Sequence, residues 1–499
     1  MSAPLEDAPE PALTEAAAPA AHPRLEFALA PEDLPALLRL PALQRAGRSA
    51  KVELTWHDTP DGAMAGRNQC LCSGDGPWRI ESLHPGSGAD WPPAAPPPVL
   101  GMAARPDLLD PPAPQPLAAV AAFRGRRHRL VDDSGLAVTV LEGHLRGVSA
   151  IRGACRVELH GPAPQVAARA AALGEGLRLS VPRASLSAEA AALAHGIDPP
   201  ARGGTLPTVR PGLAVTATVS LVIGGLLDTM LHWSATAGDG QGPVPVHQMR
   251  VATRRLRSAL SIFKGVAACP DVAPLGPALK DTAAALGLAR DWDVFLDGTG
   301  AYVAALVPED RRLQALLATA QRRRALAYAA LRTHLASAPF RTLTLALACA
   351  AALRPWEGQD PGQDAALQAD TAGFAAEVLA RRMRHVRHAG RGLRNLPVPA
   401  LHELRKDCKR LRYAAEFFQP LFPDRHGRRF VRRLAAVQEA LGLLNDGAAA
   451  SGLLAQLGRT GDGYAAGLVM GAAAASAGAV RAEVHGAWRA FREADPFWT

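Results

Sequence analysis

The sequence predicts a two-domain α+β chain, with a β-rich N-terminal part and an all-α, internally duplicated C-terminal part. Three observations carry this reading. At 499 residues the chain exceeds what one hydrophobic core usually organises. Across HGIDPPARGGTLPTVRPG, which ends at Gly212, short alternating segments give way to long Ala/Leu/Arg-rich runs. Beyond that boundary one basic motif occurs twice, 155 residues apart.

Residues 1–22, opening MSAPLEDAPEPAL, are rich in Ala, Pro and Glu and too poor in large apolar side chains to fold, so they read as a disordered leader. Acidic residues stand where a secretory signal would be basic, and no apolar run follows, which points to the cytoplasm. From 23 to 197, segments such as Lys51 to Trp56, Gly135 to Val140 and Ala154 to His160 alternate apolar with polar residues between Gly and Pro clusters, the pattern of half-buried strands. The proline-heavy DWPPAAPPPVLG and DPPAPQP inside this part read as a surface spacer. Residues 198–212 form a linker. From 213 to 499 apolar residues recur at the helical spacing of three and four, with a second repeat starting near 370.

Two apolar runs, Val215 to Trp233 and Tyr464 to Val480, have nearly the length of membrane spans. The first carries Asp228 and the second is mostly Ala and Gly, so both read as buried helices and no membrane partner is expected. The six cysteines are scattered, and Cys70 and Cys72 lack the spacing and second pair of a zinc site. Reduced thiols and no metal site are the simplest reading.

The formal charge of +9 is unevenly divided. Residues 213–499 hold 35 Lys and Arg against 24 Asp and Glu, whereas residues 1–212 hold 20 against 22. An acidic polymer is therefore drawn to the C-terminal part. Charge alone does not choose among nucleic acid, membrane surface and polyphosphate.

The duplicated motif is VHQMRVATRRLRSALSIF, residues 246–263, which returns as LHELRKDCKRLRYAAEFF, residues 401–418. Identical pairs include His247/His402, Arg250/Arg405, Arg255/Arg410, Arg257/Arg412 and Phe263/Phe418, and Arg254/Lys409 keeps its charge. ALGLARDWD, with Leu286, Gly287 and Asp291, corresponds to ALGLLNDGA, with Leu441, Gly442 and Asp446, at the same offset. Two segments at one offset imply two similar helical units related by pseudo-twofold symmetry, their repeated helices able to face a common cleft.

Within each copy the basic positions 0, 3, 7 and 10 span an arc of roughly 80° on a helix. One copy places His247, Arg250, Arg254 and Arg257 there, and the other His402, Arg405, Lys409 and Arg412. Stacked like charges weaken a helix, and a bland surface helix would interleave Glu, which this face lacks. A polyanion along it would reverse the repulsion, with guanidinium groups holding phosphate oxygens in pairs and the histidines donating further hydrogen bonds. Arg255 and Arg410 point roughly 80–100° away from the stripe. The run ARRMRHVRHAGRGLR, with Arg381, Arg384, His385 and His388, extends the basic surface. Asp291 and Asp446 read as partners for arginines or helix caps, not as catalytic acids.

With H-x-x-R-x-x-x-R-R-L-R, the LG-x-x-RD segment and the second copy in place, the C-terminal part resembles the CHAD family, the conserved histidine α-helical domain. The resemblance implies a pair of four-helix bundles whose basic channel binds inorganic polyphosphate, often at cytoplasmic polyphosphate granules, without performing chemistry. The N-terminal part resembles a worn CYTH domain, an antiparallel β-barrel or tunnel that hydrolyses triphosphates with metal held by glutamates. Here the family's E-x-E-x-K reads Arg24, Glu26, Ala28, its later E-x-E-x-E reads Arg156, Glu158, His160, and paired arginines fall on Cys70 and Cys72. A later lysine falls near His84, while Arg126, Arg127 and Arg183 remain from the basic set.

The expected function is therefore binding of inorganic polyphosphate along the cleft, with granule-associated protein partners, no cofactor and no catalytic residue. The alternative is a triphosphatase in which the helical part feeds substrate to the tunnel, and only that alternative needs magnesium. Specific nucleic-acid binding is disfavoured because aromatic residues make up 5% of the chain.

Overall fold

A computed structural model describes residues 22–59, 61–67, 69–74, 76–82, 117–147, 150–196, 207–239, 242–422, 425–458 and 463–498. The leader before residue 22, His84, the proline-heavy stretch, the first part of the linker and the side chain of Asp446 lie outside the described residues.

Strands β1 (Arg24–Leu29), β2 (Leu43–Arg45), β3 (Ala50–Asp58), β4 (Gln69–Gly74), β5 (Gly76–Ser82), β6 (Ala118–Asp132), β7 (Ala137–Arg146), β8 (Ile151–His160) and β9 (Leu179–Ser180) form one antiparallel sheet. Its order is β5-β4-β3-β6-β7-β8-β1-β9, with β2 paired to β6. Short helices α1 (Leu34–Leu37) and α2 (Ala63–Gly66) follow β1 and β3. Helices α3 (Ala163–Gly176) and α4 (Leu186–Ala194) cover opposite faces, because successive residues of a strand point to opposite sides. On β7, Val140 packs with Val166, Ala170 and Leu173 of α3, whereas Leu141 packs with Leu186, Ala190 and Leu193 of α4.

The closed β-tunnel expected from the resemblance is not formed: the sheet is open, ending in β5 on one side and the two-residue β9 on the other. The face that would line a lumen carries Val52, Leu54, Trp56, Phe123 and Leu141, all buried. Such a surface needs an apolar cover, and α4 supplies it over β3, β6 and β7, so that part of the face is packed with hydrocarbon.

The C-terminal part comprises α5 (Val215–Ala237), α6 (Val244–Ala267), α7 (Leu275–Phe295), α8 (Ala301–Leu306), α9 (Arg311–Leu335), α10 (Ala338–Leu353), α11 (Pro361–Gln368), α12 (Thr371–Ala389), α13 (Val398–Phe418), α14 (Arg425–Ala455) and α15 (Tyr464–Arg492). The duplication is visible in their packing. Helices α5, α6, α7 and α9 each touch their own counterpart, respectively α12, α13, α14 and α15, as expected of elements gathered around a twofold axis. The segments preceding α5 and α12 also pair reciprocally, Val215 N–H donating to Ala369 O and Thr371 N–H to Leu213 O, both at 3.0 Å. Near the axis the matched Phe263 and Phe418 meet edge to face at 6.1 Å between ring centres.

Helix α5 is long and apolar enough to cross a membrane by length and composition. In this fold its Val219, Val222, Ile223, Leu226 and Leu227 are buried in the helical core. Helix α10, outside the repeat pattern, lies on α3 and places Leu345 and Cys349 in the core of the sheet. Gly174 of α3 permits this, since a Cβ there would stand 2.4 Å from Leu345 Cδ1.

Candidate anion-binding cleft

Each repeated helix starts on proline. Pro245 lies in the first turn of α6 and Pro399 in that of α13, where a missing N–H costs nothing and φ is already helical. From there Val246, Met249, Ala252, Leu256, Ala259 and Phe263 of α6 recur at helical spacing and are buried. That registration turns the basic face outward, and the pseudo-twofold packing sets the two faces against each other.

His247, Arg250 and Arg254 of α6, and His402, Arg405, Lys409 and Arg412 of α13, are partly buried, while Arg257 is exposed. Lys409 gives the clearest sign of convergence. Burial, followed by the charges of Arg405, Arg254, Arg250 and Arg412, lowers its ammonium to about 8, so cations of both repeats act on one side chain. His247 is held below its ordinary value by burial and by Arg290, Arg254 and Arg250. Arg290 of α7 thus belongs to the cluster, although it stands outside the repeated stripe.

Carboxylates are scarce here. Asp291 Oδ1 lies 4.0 Å from Arg250 Nη2, and burial raises its carboxyl in spite of Arg250 and Arg290. The Nε atoms of Arg254, Arg405 and Arg412 and the Tyr413 hydroxyl are buried without a hydrogen-bond partner among the described residues. Leaving a buried donor unmet costs roughly 1–3 kcal/mol. A ligand rich in acceptor oxygens would recover that cost.

The repeated LG segments have a steric role that spacing alone did not disclose. A Cβ at Gly287 would stand 2.7 Å from Arg250 Nη1, and one at Gly442 would stand 3.1 Å from Arg405 Nη2. Each glycine lets the matched arginine of the neighbouring helix lie flat across α7 or α14. The shared 155-residue offset of both pairs was the available signal.

The remaining basic candidates do other work. Arg255 is ion-paired to Glu416 of α13 and lies over the Phe417 ring at 5.9 Å, joining the two repeats. Glu416 also stands 3.6 Å from Arg412 Nε. Arg410 Nη1 and His385 Nε2 both reach the buried Asp407, at 2.8 and 3.0 Å, tying α13 to α12. Arg381, Arg384 and His388 are exposed on α12. Between them Arg382 donates to Arg410 O at 2.6 Å, and burial with Arg381 and Arg410 lowers its guanidinium to about 10.

On the sheet, the residual charged set is paired within itself. Glu26 Oε1 lies 2.9 Å from Arg156 Nε, whose Nη2 lies 2.6 Å from Glu189 Oε1 of α4, and Glu158 is paired with Arg24. Glu26 and Glu158 face each other in register on β1 and β8. Burial still pushes the Glu26 carboxyl up to about 7. Two carboxylates already engaged by arginines do not fit a magnesium ion, which requires several free oxygen ligands in octahedral order. Arg126 and Arg183 are exposed and Arg127 is partly buried.

Residues 222–455 match the family model of the CHAD domain. The chain carries a CHAD domain. The match spans most of α5 through α14, so α15 and the whole sheet lie outside it. Among solved structures, the CHAD domain from the plant Ricinus communis is 28% identical, covers 56% of this chain and 95% of that chain, and has a TM-score of 0.48. PptA from Streptomyces chartreusis is 17% identical, covers 56% of this chain and 99% of that chain, and has a TM-score of 0.41. No curated protein matches the chain.

Proposed function

We propose that the cleft between α6 and α13 binds inorganic polyphosphate, and that this binding, rather than catalysis, is the function of the CHAD domain here. The convergence on Lys409 carries the reading: the largest charges acting on it are those of four arginines drawn from both repeats. Such a site is unfavourable when empty and favourable around a chain of regularly spaced anions, because every phosphate introduced neutralises a repulsion and accepts from unmet donors. A linear polyphosphate presents oxygens on all sides with no bases to stack, which suits a cleft built from arginine, lysine and histidine. On this proposal the protein works in the cytoplasm, at polyphosphate granules, with proteins of the granule as partners.

The test is binding of long-chain polyphosphate at physiological salt to the full chain and to the variant His247→Ala/Arg250→Ala/His402→Ala/Arg405→Ala. Loss in the variant, with polyphosphate outcompeting DNA at fixed salt, supports the reading. Equal binding by variant and parent refutes it.

A further inference from the structure

A second concentration of positive charge lies away from the cleft, where the C-terminal ends of α12 and α15 meet. It surrounds a cavity of about 930 Å³ lined by Arg387 of α12, by Arg391 and Arg394 of the following turn, and by His485, Arg489 and Arg492 of α15. None of its lining residues comes from α6 or α13. The α15 residues also fall outside the segment that matches the CHAD model.

Two glycines shape it. Gly392 adopts a left-handed conformation, φ 65°, which turns the chain sharply after α12 and places Arg391 and Arg394 on either side of the bend. Gly390 receives the Trp488 ring directly against its backbone, since a Cβ there would stand 2.1 Å from Trp488 Cζ2. The buried indole locks the end of α15 to the end of α12 and so fixes the spacing of the arginines on the two helices.

Cations at helix C-termini are ordinary, because each terminus carries roughly half a negative charge. Two termini therefore account for about one of the five arginines gathered here. Among the described residues Glu493 is the one carboxylate lining the cavity, and no ion pair joins it to any of the five. The surplus suits a phosphate-binding pocket: planar donors from two packed segments line one hollow of ligand size.

We propose that this pocket is a second anion site, which takes a compact cluster of phosphate groups and not an extended chain. The cleft is lined by the basic stripes of two long helices, whereas the pocket gathers five arginines and one histidine around a single half-open hollow. The cluster could be the terminus of a long polyphosphate or a free oligophosphate; the chemistry recognised is the same.

Calorimetry with tripolyphosphate on the full chain at physiological salt tests this, comparing the parent with a pocket variant, Arg387→Ala/Arg489→Ala/Arg492→Ala, and a cleft variant, Arg250→Ala/Arg405→Ala. The three pocket arginines are exposed, so their removal should leave the chain folded, with a melting temperature close to the parent's. Tripolyphosphate affinity should fall at least tenfold in the pocket variant and hold in the cleft variant. Absence of tripolyphosphate binding by the parent, or undiminished binding by the pocket variant, overturns the proposal whether or not long-chain polyphosphate binds the cleft. A parallel titration with long-chain polyphosphate separates the sources: weakened binding in the pocket variant identifies a chain end, and unchanged binding identifies a free oligophosphate.

Discussion

The sharpest test of the cleft leaves its charge untouched. Replacing Gly287 and Gly442 by alanine adds one methyl to each of α7 and α14, at 2.7 Å from Arg250 Nη1 and 3.1 Å from Arg405 Nη2. Ordinary contact requires more than this, so each guanidinium must move, and the ends of flexible side chains can do so without unfolding the helix. Alanine is also the better helix former, by about 0.8–1 kcal/mol relative to glycine. Stability should therefore hold or rise slightly. A hydrogen bond to a charged group contributes roughly 1.5–3 kcal/mol, and 1.4 kcal/mol is a factor of ten. Misplacing one arginine should thus weaken long-chain polyphosphate binding about tenfold, and the double variant about a hundredfold, as its salt dependence becomes shallower. Fluorescence anisotropy with labelled polyphosphate across a salt series reads both quantities, and thermal melting provides the folding control. Undiminished affinity in a folded double variant would mean that net field alone binds the ligand, and the geometric argument would fail.

Further expectations concern protonation and buried charge. Lys409, near 8 in the free protein, should be driven towards its ordinary 10.5 by bound polyphosphate, so affinity should fall as pH rises through 8, and Lys409→Arg should flatten that slope in a titration series from pH 7 to 9.5. A lysine whose folded value is lowered destabilises the fold while it is charged, below about pH 8, and the penalty fades as pH rises towards 10.5. Lys409→Met should accordingly raise unfolding free energy at pH 7 by about 1–2 kcal/mol at low salt, less at high salt, by urea titration. In the sheet, Arg156→Met leaves Glu26 and Glu189 buried without their cation and should destabilise by roughly 3–5 kcal/mol at pH 8; a change under about 1 kcal/mol would show the pairs to be incidental. Because the folded value of Glu26 is raised to about 7, its penalty is absent below about pH 4.5, grows between there and 7, and is full above. Glu26→Gln should therefore stabilise at pH 8 and have no such effect at pH 4.5, and equal effects at both would contradict the assignment.

Much of this molecule is written locally. Apolar residues at three-and-four spacing suffice to build α6 and α13, and a 155-residue offset shared by two segments forecasts both the duplication and its axis. The CHAD domain was legible for the same reason, since its motif lies within single helices. The closure of the sheet was not legible. Strand alternation shows that one face of β3, β6 and β7 is apolar but not what covers it, and the cover is α4, brought there by the tertiary fold. Nor does the one-dimensional pattern distinguish an arginine facing a cleft from one held by a carboxylate. Arg254 and Arg255 are neighbours in sequence, yet Arg254 acts on Lys409 of the other repeat while Arg255 is claimed by Glu416.

The sequence by itself determined the division into a β part and a duplicated helical part, and the basic stripe, because these follow from composition and period. Only the tertiary structure decided which cations are held by carboxylates, why glycine stands beneath Arg250 and Arg405, and that α12 and α15 end together around five arginines. Those outcomes depend on distances between residues far apart along the chain, and such distances are set when helices pack, not when they form.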